Sequence, residues 1–370
     1  MVRYLYVVMM VGQIGLLGSL CAGIIQASPK EQVHVRMDTG EAQAVLAILA
    51  KRKAHQTVEN ADWQRLFASE GYKRLKNREQ AMGRPFTDAE FEAFVLSDSL
   101  LEKADALATT LTRWQQVDVT QAAEKSLAYL PEHAQIKARI YPLIKPKTNS
   151  FVFQDKMGRA IYLYLDPEVT PEQFENTLAH EMHHIGYSSC CPSRQTAREI
   201  AKLPPNLQAI LTWLGAFGEG AAMLAAAGGP DIHPHQVSKP EDRVRWDRDM
   251  ANFNTDLKKV EAFFLDILNG KLTTEAQIRQ VGFTFFGIQG PWYTVGWKMD
   301  VLIEKTYGRA KLIECLCDTR KLLPTYNQAA EAYNRTASEP LALWSAPLVD
   351  ALDNALAPSQ RVLSTGRTKE

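Results

Sequence analysis

From Asp38 to about Tyr141, apolar residues recur every three or four positions, which is the spacing of amphipathic helices. Polar residues that commonly begin helices precede several of these apolar stripes. A short strand-like run, Val33–Met37, comes before them. The predicted helices run from 38–41 to Lys53, from Ala61 through Leu75, from Thr87 through Val95, and across Leu107, Leu111 and Trp114.

The spacing changes to a strand-like alternation after residue 150. The segments 151–153 and 160–165 are rich in aromatic and branched residues, and Asp155-Lys156-Met157-Gly158 between them is typical of a turn. The pattern predicts a β-hairpin. Its free edge could bind an extended peptide as an added strand, or the hairpin could only shield the segment that follows it.

The most apolar stretch lies near the N terminus. Val7–Ile25 carries no charge and follows a basic residue, and Ile25-Gln26-Ala27 offers a cleavage site before Ser28, as in an export signal. Two alternatives stay open: an uncleaved anchor, and a lipoprotein attached at Cys21. We therefore expect an exported chain, either periplasmic or secreted.

The overall charge narrows the range of partners. Lys plus Arg and Asp plus Glu number 42 each, so no basic excess favours nucleic acid or an anionic surface. After the N-terminal stretch we expect no further membrane segment. The sequence therefore predicts no nucleic-acid partner and no membrane partner beyond the export signal.

Four cysteines follow Cys21, and they form two close pairs, Cys190/Cys191 and Cys315/Cys317. An even number of cysteines in an exported chain favours disulfides. We predict at least one bridge between the two pairs and leave the pairing open. Free buried thiols and a second metal site are the alternatives.

A helix is predicted to begin after Thr170. Thr170 can cap its N terminus, Pro171 suits its first position, and Gln173 can complete a capping box. Gly186 is a residue typical of a helix end. Four apolar residues fall on one face, which we expect to be buried: Phe174, Leu178, Met182 and Ile185.

The other face of this helix carries His180-Glu181-Met182-His183-His184, an HExxH pattern. Four residues turn a helix by about 400°, so His180 and His184 lie about 40° apart, and two imidazoles placed this way can bind one Zn²⁺. Glu181 then lies beside the metal, where its carboxylate can take a proton from the metal-bound water. His183 is a rival ligand, and a solvated polar face is the alternative without metal.

A catalytic zinc ion usually has three protein ligands and an open position for water. We predict Glu219 as the third ligand, because a carboxylate in the apolar run Gly215–Met223 needs a partner if it is buried. Its small neighbours allow its helix to pack closely on another. The alternatives are an exposed glutamate at a helix start and the segment Asp231-Ile232-His233-Pro234-His235, whose histidines we expect at the surface because a proline breaks it.

HEMHH after a strand, followed by Gly218-Glu219-Gly220, resembles the gluzincin branch of the zincin metallopeptidases. The resemblance implies a zincin-like core, one zinc per chain held by the two outer histidines and Glu219, and Glu181 as base. It implies no particular substrate. Gluzincins often have an Asp four residues after the third ligand; here Met223 stands there, so the group that orients a zinc histidine must come from elsewhere.

Three stretches resemble a little-characterised bacterial family of zinc-dependent peptidases: Asp62-Trp63-Gln64-Arg65-Leu66-Phe67, Lys145-Pro146-Lys147-Thr148-Asn149-Ser150-Phe151 and Gln289-Gly290-Pro291-Trp292-Tyr293-Thr294-Val295-Gly296.

The segment Gly290–Gly296 places Trp292 and Tyr293 between glycines, which indicates a close approach of its backbone to another group. A tyrosine hydroxyl near zinc could donate to the oxyanion that develops on a substrate carbonyl, and we predict this role for Tyr293. The alternative is that both aromatic residues pack in the core.

Together these patterns predict an α+β, predominantly α-helical fold with a small antiparallel sheet beside the HExxH helix. We expect a signal peptide at 1–27, one zincin-like unit at 28–358 whose character changes from helical to metal-binding after residue 145, and a flexible tail at 359–370. The predicted function is zinc-dependent hydrolysis of a peptide bond in a peptide or protein substrate. Hydrolysis of a non-peptide amide or ester, and a non-catalytic exported zinc-binding scaffold, are the alternatives.

Overall fold

The structure is a computed structural model that describes residues 32–364 apart from residues 149, 156 and 157. The predicted signal peptide at 1–27 and Cys21 lie outside the described residues, as does the end of the predicted tail, residues 365–370. The last helix runs to Ser364 and so takes in the beginning of that tail.

The chain forms two compact units. Among the described residues, the first comprises residues 32–123 and 135–185, and the second comprises Glu124–Ala134 and residues 186–364. The expected organisation, one zincin-like unit at 28–358 whose character changes after residue 145, stays a prediction. Strands from both sides of residue 145 pair in one sheet.

The first unit combines a small sheet with helices. Its strands are β1 (Val33–Met37), β2 (Ile136–Leu143), β3 (Phe151–Asp155) and β4 (Gly158–Tyr164). Its helices are α1 (Gly40–Lys53), α2 (Asn60–Ala68), α3 (Glu70–Ala81), α4 (Asp88–Val95), α5 (Asp98–Leu101) and α6 (Ala104–Trp114). Two helices contribute residues to both units: α7 (Val119–Leu127) and α8 (Pro171–Cys190).

The sheet is mixed, with the strand order β1-β2-β4-β3. The predicted hairpin is confirmed, because β3 pairs antiparallel with β4 and Phe151 lies opposite Tyr162. The prediction of a small antiparallel sheet holds only for this hairpin, because β1, β2 and β4 run parallel. The sequence missed β2 inside its predicted helical region, where Pro142 lacks the N–H that a central strand normally donates.

The helix predicted from Ala61 through Leu75 is two helices, α2 and α3. Ser69 interrupts it with an extended backbone (φ −62°, ψ 146°). Its hydroxyl donates to the carbonyl of Leu66 at 2.7 Å and accepts from the N–H of Tyr72 at 3.4 Å. The serine therefore ends one helix and caps the next. Its side-chain hydrogen bonds to the backbone replace those of a continuous helix, and the spacing of apolar residues does not show this.

Close packing joins the helices of the first unit to its sheet. A Cβ added at Gly71 in α3 would lie 3.1 Å from the side chains of both Glu41 and Leu143. Trp114 in α6 stacks on Phe174 in α8 with ring centroids 4.2 Å apart, and its indole N–H donates to the carbonyl of Val169 at 3.3 Å. Removing such a buried aromatic ring typically costs about 3–5 kcal/mol, so Trp114 anchors the start of α8.

The second unit is helical in its described residues. After α8 come α9 (Arg194–Ile200), α10 (Pro205–Leu214), a short 3₁₀ turn (Gly215–Phe217), α11 (Gly218–Ala227), α12 (Pro240–Ala251), α13 (Phe253–Leu268), α14 (Glu275–Thr284), α15 (Pro291–Tyr307), α16 (Arg309–Cys317), a 3₁₀ turn (Thr319–Lys321), α17 (Leu322–Asn334) and α18 (Ala346–Ser364). The run Pro205–Ala227 is long and apolar enough to cross a membrane by length and composition alone, but 72% of its most apolar window is buried inside the protein, as in a core helix.

A disulfide joins Cys191, just after α8, to Cys317 at the end of α16. The prediction of at least one bridge between the two cysteine pairs is confirmed by this pairing. Cys190 and Cys315 are free thiols, and burial raises the pKa of each thiol above its usual value. The bridge closes a loop of 126 residues and so restricts the unfolded chain strongly.

Candidate metal centre

Helix α8 begins where the sequence predicts. Gln173 accepts a hydrogen bond from the N–H of Thr170 at 3.0 Å, and Thr170 accepts one from the N–H of Gln173 at 3.3 Å, so the capping box is present. The predicted end at Gly186 is wrong, because the helix continues to Cys190. It ends before Pro192, which has no N–H to donate to the preceding turn.

One face of α8 is fully buried, as predicted: Phe174, Leu178, Met182 and Ile185 all belong to the core. Near its C-terminal end, Arg159 on β4 donates through Nη1 to the carbonyl of Ile185 at 2.9 Å. Burial lowers the pKa of this guanidinium below its usual value. The sheet and the core together fix the position of the helix that carries the HExxH pattern.

His180 and His184 converge on one point. Their Nε2 atoms lie 3.1 Å apart, and their ring planes are 80° from each other. A tetrahedral zinc ion with Zn–N bonds of about 2.05 Å would place two nitrogens about 3.3 Å apart. The two imidazoles therefore fit a shared zinc ion without rearrangement of the helix.

Glu219 joins the two histidines in one group. Each of the three offers one ligand atom, and these atoms all lie within 4.8 Å of one another. Glu219 is fully buried, so the exposed alternative is wrong. Two imidazole nitrogens and one carboxylate oxygen are a donor set that suits zinc.

The backbone around Glu219 explains how a carboxylate reaches so apolar a place. Glu219 is the second residue of α11, and the backbones of α11 and α15 approach closely at Gly220 and Gly296. A Cβ added at Gly220 would lie 2.8 Å from the Cα of Gly296, and one at Gly296 would lie 2.7 Å from the carbonyl oxygen of Phe217. The predicted close helix packing is confirmed, and it holds Glu219 on a rigid element.

Glu181 is buried and follows His180 directly, but it is not in the three-residue group. His183 is also buried and also outside that group. Within the described part of the chain, the geometry therefore favours His184 over its rival His183 as the second imidazole ligand.

The rival segment 231–235 does not join the group either. The expectation that both of its histidines lie at the surface is wrong for His235, which is buried against Trp246 with ring centroids 5.2 Å apart. Its Nδ1 lies 2.9 Å from the hydroxyl of Ser238, and burial lowers its pKa to about 4. His235 is therefore a neutral core histidine, while His233 contacts Asp247 at 3.0 Å.

The glycine-flanked segment Gly290–Gly296, at the start of α15, makes the close approach that its sequence predicts, and the approach is to the protein's own backbone. A Cβ added at Gly290 would lie 2.7 Å from the carbonyl oxygen of Phe285. Trp292 is fully buried, and its indole N–H donates to the carbonyl of Gly282 at 2.9 Å. Tyr293 is buried in the same core, and its role as an oxyanion donor stays a prediction.

One buried group was not singled out from the sequence. Asp300 on α15 is fully buried, and among the described residues its carboxyl oxygens have no hydrogen-bond partner. Burial, with the nearby charge of Glu304, raises the pKa of Asp300 well above its usual value. An acidic residue within an apolar stretch of a helix is a sign of a buried carboxyl group. The sequence does not show which residues surround that group in the fold.

Fold and site together define an α+β, mainly helical protein with a His–His–Glu group that can hold a metal ion. Residues 63–335 match the family model described as "Putative zinc dependent peptidase (DUF5700)". This match covers well over half of the chain, so the protein belongs to that family, as its sequence resemblance predicts. No curated protein and no solved structure matches the chain.

Proposed function

We propose that this protein is a zinc-dependent hydrolase that cleaves peptide bonds through a gluzincin-like metal site. The observation that supports this most is the group of His180, His184 and Glu219 within 4.8 Å, with Glu181 directly after the first histidine. A structural zinc site has no need for a carboxylate at position 181. The family's description favours a peptide substrate over other amides and esters.

Each residue has a definite role in this proposal. His180, His184 and Glu219 would hold the zinc ion, which would acidify water and polarise the substrate carbonyl. Glu181 takes a proton from the attacking water and returns it to the leaving amine. Tyr293 is proposed to donate a hydrogen bond from its hydroxyl to the developing oxyanion.

The sheet offers a means of holding an extended substrate. β3 is an edge strand, so one of its sides is open to pairing within the described sheet. An extended peptide can add to such an edge through main-chain hydrogen bonds, which accept many sequences. This mode of binding supports a peptide or protein substrate.

The proposal is tested by incubating the purified protein with a diverse peptide library, with and without a metal chelator, and identifying products by mass spectrometry. We expect cleavage products that disappear with chelator and return when zinc is added. Cleavage of amide or ester probes but of no peptide would favour the non-peptide hydrolase instead. Bound zinc without any turnover would favour the scaffold.

We also propose that the protein is exported. The Cys191–Cys317 disulfide supports this, because structural disulfides persist mainly in oxidising compartments, and so does the apolar run Val7–Ile25. N-terminal sequencing of protein purified from the cell envelope or medium should begin at Ser28. A lipid-modified Cys21 or an intact Met1 would contradict the predicted cleavage.

A further inference from the structure

The first unit contains a cavity of ligand size, of about 330 Å³. Its walls come from α3, the loop between α3 and α4, α4, and the segment that follows β2. Pockets that bind small molecules generally start at about 300 Å³, so this one is large enough for a small ligand. None of its lining residues belongs to the candidate metal centre.

Part of the cavity wall is apolar and firmly held. Leu75, Phe86, Phe91 and Pro146 supply this part. Phe86 and Phe91 stack with ring centroids 5.7 Å apart, and Phe91 packs edge-on against Tyr72. Because the rings support one another, the apolar wall is rigid, and it suits an aromatic or branched aliphatic group.

The other part of the wall is rich in cations. Arg84, Lys145 and Lys147 line the cavity together with two acids, Glu79 and Glu90. The Glu90 carboxylate accepts hydrogen bonds from the N–H of Thr87 at 2.7 Å and from its hydroxyl at 3.0 Å, as the cap of α4. It is therefore already engaged on its own helix.

The single carboxylate of Glu79 is shared among several cations. It accepts from Arg84 Nε at 3.0 Å and lies 3.5 Å from Lys147 Nζ, and its other oxygen pairs with the buried Arg78. Burial alone would raise the pKa of Glu79, but hydrogen bonds from Arg84 and Arg78 and their charges lower it below its usual value. Arg78, Arg84 and Lys147 thus place three positive charges around Glu79, and Glu90 adds a second negative charge, so an excess of one positive charge remains at this wall.

Arg84 offers a specific point of attachment. Among the described residues its side chain makes one hydrogen bond, through Nε, and its two terminal nitrogens make none. Its side chain is 42% exposed, so these nitrogens are accessible. A guanidinium with a free edge binds carboxylates with paired hydrogen bonds.

Lys145 adds a buried amine to the same wall. Its Nζ donates to the carbonyl of Lys147 at 2.5 Å and lies 5.5 Å from the centre of the Phe151 ring. Burial lowers the pKa of Lys145 to about 7, against the raising effect of the Glu79 charge. A bound anion would favour the charged form of this amine and so gain from its position.

We propose that this cavity is a binding site for a small carboxylate that carries an apolar group. The carboxylate binds the terminal nitrogens of Arg84 beside Lys147 and Lys145. The apolar group packs against Phe86, Phe91 and Leu75. This site is separate from the proposed hydrolytic function, and its occupation does not depend on a metal.

The test measures binding of 3-phenylpropionate and of its neutral amide, 3-phenylpropanamide, to the purified full chain by isothermal titration calorimetry. The two probes share shape and apolar group, so they differ mainly in charge. We expect the acid to bind in the micromolar to low millimolar range and the amide to bind at least about ten-fold more weakly, because charge-assisted hydrogen bonds are lost.

Variants locate the site. Arg84→Met should weaken binding of the acid about ten-fold or more, and Lys147→Met should weaken it to a smaller extent. Arg113→Met removes an exposed arginine from α6 in the same unit and should leave binding unchanged. Lys147 is 56% exposed, so its variant is expected to fold even if Arg84→Met does not, which circular dichroism checks for both.

Three results would overturn the proposal. The first is no binding of the acid to the wild-type chain in the low millimolar range. The second is equal binding of acid and amide, which would leave only an apolar pocket. The third is wild-type binding by folded Arg84→Met and Lys147→Met, which would place the carboxylate elsewhere.

Discussion

Several carboxyl groups of this protein are buried, and their environments decide what each can do. Glu219 lies in a group that can bind a cation, which compensates a buried negative charge. Glu41 lies under the sheet of the first unit and accepts a hydrogen bond from the N–H of Ile144 at 3.0 Å. Burial raises the pKa of Glu41 to about 8, only partly offset by that hydrogen bond and by the charge of Lys145. Glu41 is thus mostly protonated in the neutral folded protein.

The raised pKa of Glu41 predicts how stability depends on pH. Between about pH 4.5 and 8 the folded chain holds a proton at Glu41 that the unfolded chain has released, so the free energy of unfolding should fall as pH rises. The contribution is at most about 5 kcal/mol over this window. Glu41→Gln keeps a neutral side chain at all pH values and should flatten the slope.

Urea unfolding at pH 5 and pH 8 measures this difference, with Glu102→Gln as a control, because Glu102 is exposed on the same unit. We expect the control to keep the wild-type slope. Equal slopes in Glu41→Gln and wild type would show that Glu41 does not hold a proton in the folded chain.

At the scale of elements, the candidate site depends on two helices whose sequences favour their geometry for different reasons. α8 presents its histidines because a capping box sets its start and an apolar stripe sets its rotation. α11 presents Glu219 because Gly220 and Gly296 let it lie against the backbone of α15. The capping box and the apolar stripe of α8 are local features of its sequence. The packing of α11 depends on α15, a helix that lies far along the chain.

Gly220→Ala should be far more harmful than Gly218→Ala. The added methyl at position 220 would overlap the backbone of α15, whereas at position 218 it would meet nothing within 4 Å. Overpacking of this kind costs about 1–3 kcal/mol or more, while Gly→Ala in a helix otherwise gains up to about 1 kcal/mol. Thermal unfolding midpoints and zinc content of both variants check this.

We expect Gly220→Ala to lower the unfolding midpoint by several degrees and to lose zinc, and Gly218→Ala to keep its zinc with a midpoint equal to or slightly above that of wild type. If the two variants behaved alike, the close packing of α11 on α15 would not hold Glu219 in place.

The elements that could be predicted from sequence are those with local signals. The start of α8, the HExxH face, the β3–β4 hairpin and the helices α1, α4 and α6 follow from caps, turns and spacing. Glu219 could be singled out as a candidate ligand because it is the one acidic residue in a run of small and apolar residues, Gly215–Met223. The break at Ser69, the strand β2 with its Pro142 and the burial of His235 were missed, because each depends on contacts or competing hydrogen bonds that the spacing of apolar residues does not contain.

At the scale of the whole molecule, one covalent bond ties the region just after α8 to a helix near the end of the chain. Cys191 and Cys317 are 126 residues apart. The family match at 63–335 includes both cysteines and all three candidate ligands. The sequence does not predict which cysteine of each pair forms the bridge. The direction of each side chain depends on where the helix beside it ends, and the pattern of residues does not locate that end.

Removing this bond should destabilise the protein. Cys317→Ser is expected to cost about 2–5 kcal/mol in the free energy of unfolding, because it releases the unfolded chain from a long loop. Cys315→Ser removes a free thiol two residues away and is the control. Urea unfolding of both variants, with thiol counting under denaturing conditions, separates loss of the bridge from loss of a thiol; equal stability of the two would contradict a structural bridge at Cys317.

In the proposed mechanism, Glu181 moves a proton while His180, His184 and Glu219 hold zinc. In Glu219→Gln a neutral ligand replaces an anionic one, so zinc and activity should be lost together. Glu181→Gln keeps the shape and a hydrogen bond but cannot accept the proton of water.

The most direct test is the rate of peptide cleavage by Glu181→Gln, measured at a zinc content equal to that of wild type. The substrate is a peptide found in the library screen. We expect a rate lower by about 10²–10⁴-fold, the usual contribution of a general base, with zinc content unchanged. A wild-type rate in this variant would contradict the proposed mechanism.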